Sequence, residues 1–400
     1  MRSETQPPAA AEPGVVMRVL FSSNPLVGHL LPLLPLAGAA RDAGHEVVIA
    51  TGPNLVAEVR RRGFTCWSIG PELAVIQEGV RNRPRPDGAS EAEEMVGNGL
   101  AMFAHPAVER ARDLFRLTSA WPPDLVVREI YELGVDHVAP DAVHVRHGLG
   151  AHFPGFAALV ELARAEVARR LGRPVPARAV AQTPYLDPFP ALLQVPPEDQ
   201  GKVLPIRPHA GEVLPGEELP VAFRRLPRDR TVYLTLGTFF NEGPALHELV
   251  AAVSELDVNV AVTTGAGVDP SSWPPLPPQV AVAPFVPQAL LLPHCAAVVS
   301  HGGAGTLLGG LIHGLPQVCL PRGADQFVNA EQLARVGAGI TLGPAEATPD
   351  AIRTAVSQVL THPGHATAAA RVQSAIAAMP HPTSVLRTLT AAVADRPAGR

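Results

Sequence analysis

The sequence predicts an α/β chain of two Rossmann-like, doubly wound parallel-sheet domains that face each other across a cleft. Three observations carry that expectation. The chain has 400 residues, more than one hydrophobic core usually serves, so two domains of about 200 residues each are the natural division. It opens with an apolar run, a loop, a helical segment and a second apolar run, the order of a βαβ unit. The same series restarts near Thr231, after a Pro- and charge-rich stretch.

Taken in order, residues 1–16 are polar and rich in Pro and Ala, with no apolar centre, and read as a disordered extension rather than a secretory signal. The first strand is expected from Arg18 to Ser23, ending in the Pro- and Gly-containing loop Asn24 to His29. A helix from Leu33 to Ala43 stops at Gly44, and the strand His45 to Ala50 follows. Phe64 to Ile69, Leu125 to Val127 and Ala142 to Val145 continue the sheet. Between Gly70 and Asn98, the charged clusters Arg81 to Arg85 and Glu91 to Glu94 point to a mobile loop and helix, the kind of segment that covers a ligand. Leu204 to Arg230 has the composition of an interdomain stretch; it places the first domain at 17–210, the linker at 211–230 and the second domain at 231–400. There the expected strands are Thr231 to Leu236, Val258 to Thr263, Val280 to Ala283, Ala297 to Ser300 and Gln317 to Leu320, and a C-terminal helix is expected to return to the first domain.

Composition narrows the function classes. A chain 46% hydrophobic and 17% charged is globular rather than disordered. Its net charge of -5 gives no reason to expect nucleic acid as a partner. Cys66, Cys295 and Cys319 lie far apart and lack metal-ligand spacing, which fits a reducing cytoplasm. The apolar tract Leu30 to Ala40 is broken by Pro32 and Pro35, which argues against a membrane span. A monomer and a homodimer fit equally well.

The most specific segment is Val298-Val-Ser-His-Gly-Gly-Ala-Gly-Thr306, an apolar strand entering a Gly-rich turn and then a helix. Glycines let the backbone approach a ligand, and the following helix terminus favours an anion, so a phosphate site is the economical reading. His301 and Thr306 would add side-chain donors. Three glycines alone also fit any tight strand-to-helix turn. The segment is neither a P-loop nor a dinucleotide fingerprint. No Arg or Lys stands in the turn, so backbone donors must carry most of an anion's charge.

Its context extends from Phe285-Val-Pro-Gln288 to Pro321-Arg-Gly-Ala-Asp-Gln326. This block resembles the donor-binding signature of family 1 glycosyltransferases, which have the two-domain GT-B fold. It is similar above all to actinobacterial natural-product enzymes of the calicheamicin and macrolide type. The resemblance covers nearly the whole chain from Met17.

It implies that Phe285 and Val286 flank a nucleobase, Val286 through its backbone, and that Gln288 lies near the nucleoside. His301, Gly302, Gly303, Gly305 and Thr306 would hold a pyrophosphate, and Thr238 would face the phosphates or the donor sugar. Asp325 and Gln326 would bind sugar hydroxyls, although Asp325 also suits a helix N-cap. Relatives often carry a ribose-binding Glu eight residues after the motif His; Gly309 stands there, which favours a dTDP-sugar over a UDP-sugar donor.

His29, in Gly28-His-Leu-Leu-Pro32, falls at the carboxyl end of the first strand. An acceptor hydroxyl is a poor nucleophile until deprotonated, and an imidazole suits that task. A lone His in such a loop fits a cap or a buried position as well. The resemblance places the catalytic base here, and it puts an orienting acid, more commonly Asp, shortly after the strand Pro123-Asp-Leu-Val-Val127, where Glu129 stands. Glu129 is the candidate acid; Glu132 is the rival, read as an exposed loop charge. The implied reaction is an inverting hexosyl transfer from a nucleotide sugar to a small apolar natural product, as in antibiotic biosynthesis. No cofactor or metal is expected, because no Asp-x-Asp motif is evident.

Two other readings stay open at this point. One is a catalytically silent nucleotide-sugar-binding helper protein of the same fold, and the other a nucleotide-sugar epimerase. The acceptor is the least legible part: His144, His147, His152 and Phe153, the segment Val75 to Met102, and Phe239 and Phe240 are candidate pocket walls.

Overall fold

The computed structural model describes residues 16–86, 88–153, 155–175, 183–195, 201–237, 243–265, 273 and 275–395. Residues 1–15 of the expected extension lie outside them, as do Thr238, Phe239 and Phe240.

Within the described residues the chain forms two wholly parallel sheets. The first contains β1 (Arg18–Ser22), β2 (Glu46–Thr51), β3 (Thr65–Ser68), β4 (Leu125–Glu129), β5 (Val143–His147), β6 (Tyr185–Asp187) and β7 (Val203–Pro205), in the order β3-β2-β1-β4-β5-β6-β7. The second contains β8 (Thr231–Thr235), β9 (Asn259–Thr263), β10 (Val280–Ala283), β11 (Ala297–Ser300), β12 (Gln317–Cys319) and β13 (Gly339–Thr341), in the order β10-β9-β8-β11-β12-β13. Their central strands are near-continuous apolar runs because helices cover both faces: β4 and β8 are buried along their whole length.

Both sheets reverse direction at the same place. The chain winds outward from β1 to β3 and then returns to lay β4 on the other side of β1; β8 and β11 repeat this in the second sheet. At such a switch point the loops leaving the two central strands splay apart and open a crevice beyond their carboxyl ends. Ligand-binding loops are therefore expected after β1 and β4 in one domain, and after β8 and β11 in the other.

Three short strands, β6, β7 and β13, were not expected: their apolar residues are interrupted by Asp187, Pro205 or Gly339, whereas the equally short β12 runs on into Leu320. β7 takes Leu204 and Pro205 from the stretch read as interdomain; it lies at the sheet edge, where Pro is tolerated. Farther along, the short helix Val221–Arg224 buries Phe223 against the second domain. The segment expected to be a mobile loop and helix holds two helices, Leu73–Arg81 and Glu91–Gly99. A reciprocal capping box between Ser90 and Glu93 starts the second of these helices. Leu100–Ala104 then forms a π-helical turn leading into the helix His105–Ala120.

Two apolar seams join the halves. The C-terminal helix Pro382–Ala394 inserts Val385, Leu386 and Leu389 into the first domain's core, beside Leu33, Leu36 and Ala40. Below the cleft, Ala151, Phe189 and Leu193 of the first domain pack with Leu307, Leu311, Ala330 and Leu333 of the second. Among the described residues, no helix is long and apolar enough to cross a membrane.

Candidate active site

A cleft of about 1960 Å³ opens between the two switch points and is lined from both domains. On the first-domain side, the chain leaving β1 turns at once into the short helix Val27–Leu30, which carries His29. His29 is thus helical rather than in an open loop, and it does not cap the helix: the capping position is Leu26.

Glu129 is the last residue of β4 and is fully buried. His29 Nδ1 lies 3.2 Å from Glu129 Oε1. The ring is turned off the line of a well-directed hydrogen bond, so this is a close approach rather than a tight bond. Glu129 also accepts the Tyr131 backbone N–H at 2.6 Å, the Asn24 backbone N–H at 3.2 Å, and the Asn24 side-chain amide. Burial alone would raise its pKa; the neighbouring His29 charge and these donors outweigh burial and hold it below the usual carboxylate range. The acid therefore stays ionised beside the imidazole. With Nδ1 facing the carboxylate, Nε2 is the nitrogen left toward the cleft.

Two aromatic rings hold the imidazole from the side. His29 stacks on Phe103 with centroids 5.6 Å apart, and Tyr131 lies 5.8 Å away, itself stacked on Phe103 at 4.8 Å. Phe103 comes from the π-helical turn and Tyr131 from the loop after β4. Sequence reasoning missed both. Tyr131 had a usable signal, two residues beyond Glu129, whereas Phe103 had none.

Glu132 is not the exposed charge it was expected to be. It is fully buried and paired with Arg110, Nε to Oε1 at 3.0 Å, and it accepts from Ser22 Oγ and from the backbone N–H groups of Gly134 and Val135. A carboxylate with an Arg and three further donors is stable in an apolar interior, which is why this loop charge turns inward. Arg110 continues to the Phe103 carbonyl at 3.4 Å, tying the π-helical turn to the β4 loop.

The other first-domain candidates divide. His147, His152 and Phe153 line the cleft, whereas His144 is turned away, its Nε2 2.9 Å from the Ala139 carbonyl. Burial lowers the pKa of His147 and of His152 to about 4. Met95, Met102 and Gln77 of the 75–102 segment reach the cleft; Val75 faces solvent.

On the second-domain side, β11 ends at Ser300 and His301 follows. Gly302 takes φ +79°, which an L side chain rarely adopts, and Gly303 begins the helix Ala304–Ile312. No side chain caps this helix, so its first amide donors face the cleft. The His301 ring lies between Gly237, after β8, and Gly303: a Cβ at either would collide with it, at 2.5 Å from Nε2 for Gly303. Burial, aided by the Arg322 charge, lowers the pKa of His301 to about 4, so the ring is a neutral donor or acceptor. Nothing crowds a Cβ at Gly305, which leaves open space at the helix start.

The remaining donor-side residues converge on the same cleft. Phe285 is 62% exposed and so is not core, whereas the Val286 side chain is buried and only its backbone is free to meet a ligand. Gln288 donates through Nε2 to Thr306 Oγ1 at 3.1 Å, and its Oε1 lies 2.8 Å from where a Cβ of Gly309 would stand. Gln326 accepts the backbone N–H groups of Arg322 and Gly323 through Oε1, which leaves its amide nitrogen for a ligand. Asp325 occupies the cap position of the helix Gln326–Arg335, yet its carboxylate does not cap it. It accepts from Asn329 instead, and it lies close enough to His29 and Tyr131 for its charge to act on both. Burial raises its pKa, against the Asn329 bond and the His29 charge.

Comparison with known proteins agrees with this geometry. Residues 247–392 match the family "Erythromycin biosynthesis protein CIII-like, C-terminal domain". The chain is 32% identical to L-demethylnoviosyl transferase of Streptomyces niveus, over 94% of this chain and 98% of that one. Among solved structures it is similar to the glycosyltransferase VinC in complex with dTDP, with a TM-score of 0.78, 26% identity and coverage of 95% and 100%. It is also similar to the spinosyn rhamnosyltransferase SpnG complexed with spinosyn aglycone, with a TM-score of 0.76, 30% identity and coverage of 93% and 100%. Two parallel-sheet domains, a cleft lined from both switch points and whole-length similarity lead to one conclusion: the chain belongs to the actinobacterial natural-product glycosyltransferases of GT-B fold.

Proposed function

We propose that the chain transfers a sugar from dTDP to a hydroxyl of a small apolar natural product, in antibiotic biosynthesis, by one inverting displacement that needs no divalent cation. The observation that carries this reading is the placement of the His29–Glu129 pair opposite an uncapped helix N-terminus across one cleft.

The acceptor hydroxyl gives its proton to His29 Nε2 as its oxygen bonds to the anomeric carbon. Glu129 stabilises the imidazolium that forms, as carboxylates do in other His–acid pairs. The bond from the anomeric carbon to the diphosphate oxygen breaks, and the nucleoside diphosphate leaves with the electron pair. Its charge falls at the turn His301 to Thr306, where the helix N–H groups and dipole stand in for a cation. Attack opposite the leaving group inverts the anomeric configuration. Asp325 and Gln326 orient the sugar, Phe285 flanks the base, and Thr238 remains a proposed phosphate or sugar contact outside the described residues.

The dTDP preference rests on Gly309. No carboxylate projects there, and the space beside it is taken by the Gln288 amide, which is already bonded to Thr306. A ribose 2′-hydroxyl thus finds no acid to receive it. VinC was solved with dTDP, which supports the same donor class. Calorimetric titration with dTDP and with UDP tests the assignment: tighter dTDP binding is expected, and a clear preference for UDP would overturn it.

A further inference from the structure

The chemistry above leaves one fully buried polar side chain unused. Asn329 is wholly inaccessible and does not line the cleft, yet its amide has three partners. Nδ2 donates to Asp325 Oδ2 at 3.0 Å and to the Gly302 carbonyl at 3.1 Å. Oδ1 accepts the Ala151 backbone N–H at 2.9 Å. These partners belong to three parts of the machinery: the carboxylate assigned to the sugar, the phosphate turn, and the loop after β5 of the opposite domain.

A second observation falls at the same point. A Cβ at Gly150 would collide with Asp325 Oδ2 and would stand 3.3 Å from Asn329 Oδ1. The first domain therefore docks here on backbone alone, against the carboxylate and the amide together. Both hydrogens of the amide are engaged, so its plane cannot turn without leaving buried groups unmatched. Drawing the first-domain loop away removes the partner of Oδ1 and releases that constraint on Asp325.

We propose that Asn329 is a positioning residue for sugar transfer, coupling the docking of the Gly150–Ala151 loop to the orientation of Asp325 and of the phosphate turn. This rests on the reading of Asp325 as a sugar ligand. The donor sugar is aligned fully only when the first-domain loop is seated.

The test uses the full chain with Asn329→Ala, Gly150→Ala, Asp325→Asn and the Asn329→Ala/Asp325→Asn double variant, each checked for folding by circular dichroism. Steady-state transfer and dTDP affinity are then measured. Asn329→Ala is expected to lower kcat on the order of 10²-fold, because ångström-scale misplacement of a reacting group costs that much. Gly150→Ala should act in the same direction while leaving Asn329 in place. The double variant should be no slower than the worse single one, since the two residues act as one unit. Wild-type kcat in folded Asn329→Ala and Gly150→Ala, beside a crippled Asp325→Asn, overturns the inference alone. Strict additivity in the cycle also overturns it, in favour of a purely structural role. Unchanged kinetics in Asp325→Asn overturns the sugar assignment on which it rests. Should Asn329→Ala not fold, Asn329→Ser, which leaves Gly150 and Asp325 unaltered, decides by the same kinetic criterion.

Discussion

The two halves of the cleft solve the same topological problem with different materials. Each site sits where a parallel sheet reverses, between β1 and β4 in one domain and between β8 and β11 in the other. The second-domain site is mostly backbone: Gly237, Gly302 and Gly303 are required where they stand by a positive φ or by the pressure of the His301 ring. The first-domain site is mostly side chain. His29, Phe103 and the pair Glu129 and Tyr131 come from three separate segments and are held by stacking and by buried donors. A nucleoside diphosphate presents the same anion to every donor site, and backbone N–H groups suffice for it. An acceptor is met by side chains, which substitution can vary without altering the strand-loop-helix frame.

A large effect that would sharpen this contrast is on the backbone side. Gly303→Ala drives a methyl into the His301 ring. Overpacking of this kind costs about 1–3 kcal/mol; where that strain falls on the turn that meets the diphosphate, it is a loss of roughly 5- to 150-fold in dTDP affinity. Calorimetric titration checks it, and near-wild-type affinity would show that the turn is not fitted to the diphosphate as described.

This asymmetry also decides what the sequence made legible. The Gly-rich turn could be read because a tight strand-to-helix turn demands glycine, and glycines in a row are visible in one line of sequence. The strand-loop-helix frame was readable from equally local patterns, except at β6, β7 and β13, whose short apolar runs are interrupted by Asp187, Pro205 or Gly339. Glu132 was misread because the side chains that pair with it, Arg110 and Ser22, lie in other segments, and the turn that aims Gly134 and Val135 back at it has no residue pattern. His144 was grouped with the pocket histidines by sequence proximity, although β5 alternates its side chains between two faces. Phe103 depends on a π-helical turn that no residue pattern announces.

A smaller effect concerns pH and stability. His147, His152 and His301 are held neutral, each with its pKa lowered to about 4 from 6.5. Between those values the unfolded chain binds more protons than the folded one, so their contribution to stability is present above pH 6.5 and is lost as pH falls toward 4. Asp187, raised to about 6 by burial, opposes them over part of that window, because its folded form binds the extra proton. The three outweigh the one. Thermal midpoints should decline on acidification from pH 6.5 to 4, and His147→Asn should flatten the slope; a flat wild-type profile would contradict the burial of these rings.

The central claim is that the first-domain side chains perform the proton transfer while the second-domain backbone holds the nucleotide, and His29→Ala tests it most directly. Transfer to an acceptor hydroxyl and the affinity for dTDP are measured on the same preparation. The account predicts a loss of transfer on the order of 10²- to 10⁴-fold, the usual contribution of a general base, with dTDP affinity unchanged. Undiminished transfer, or a parallel loss of dTDP binding, would contradict it.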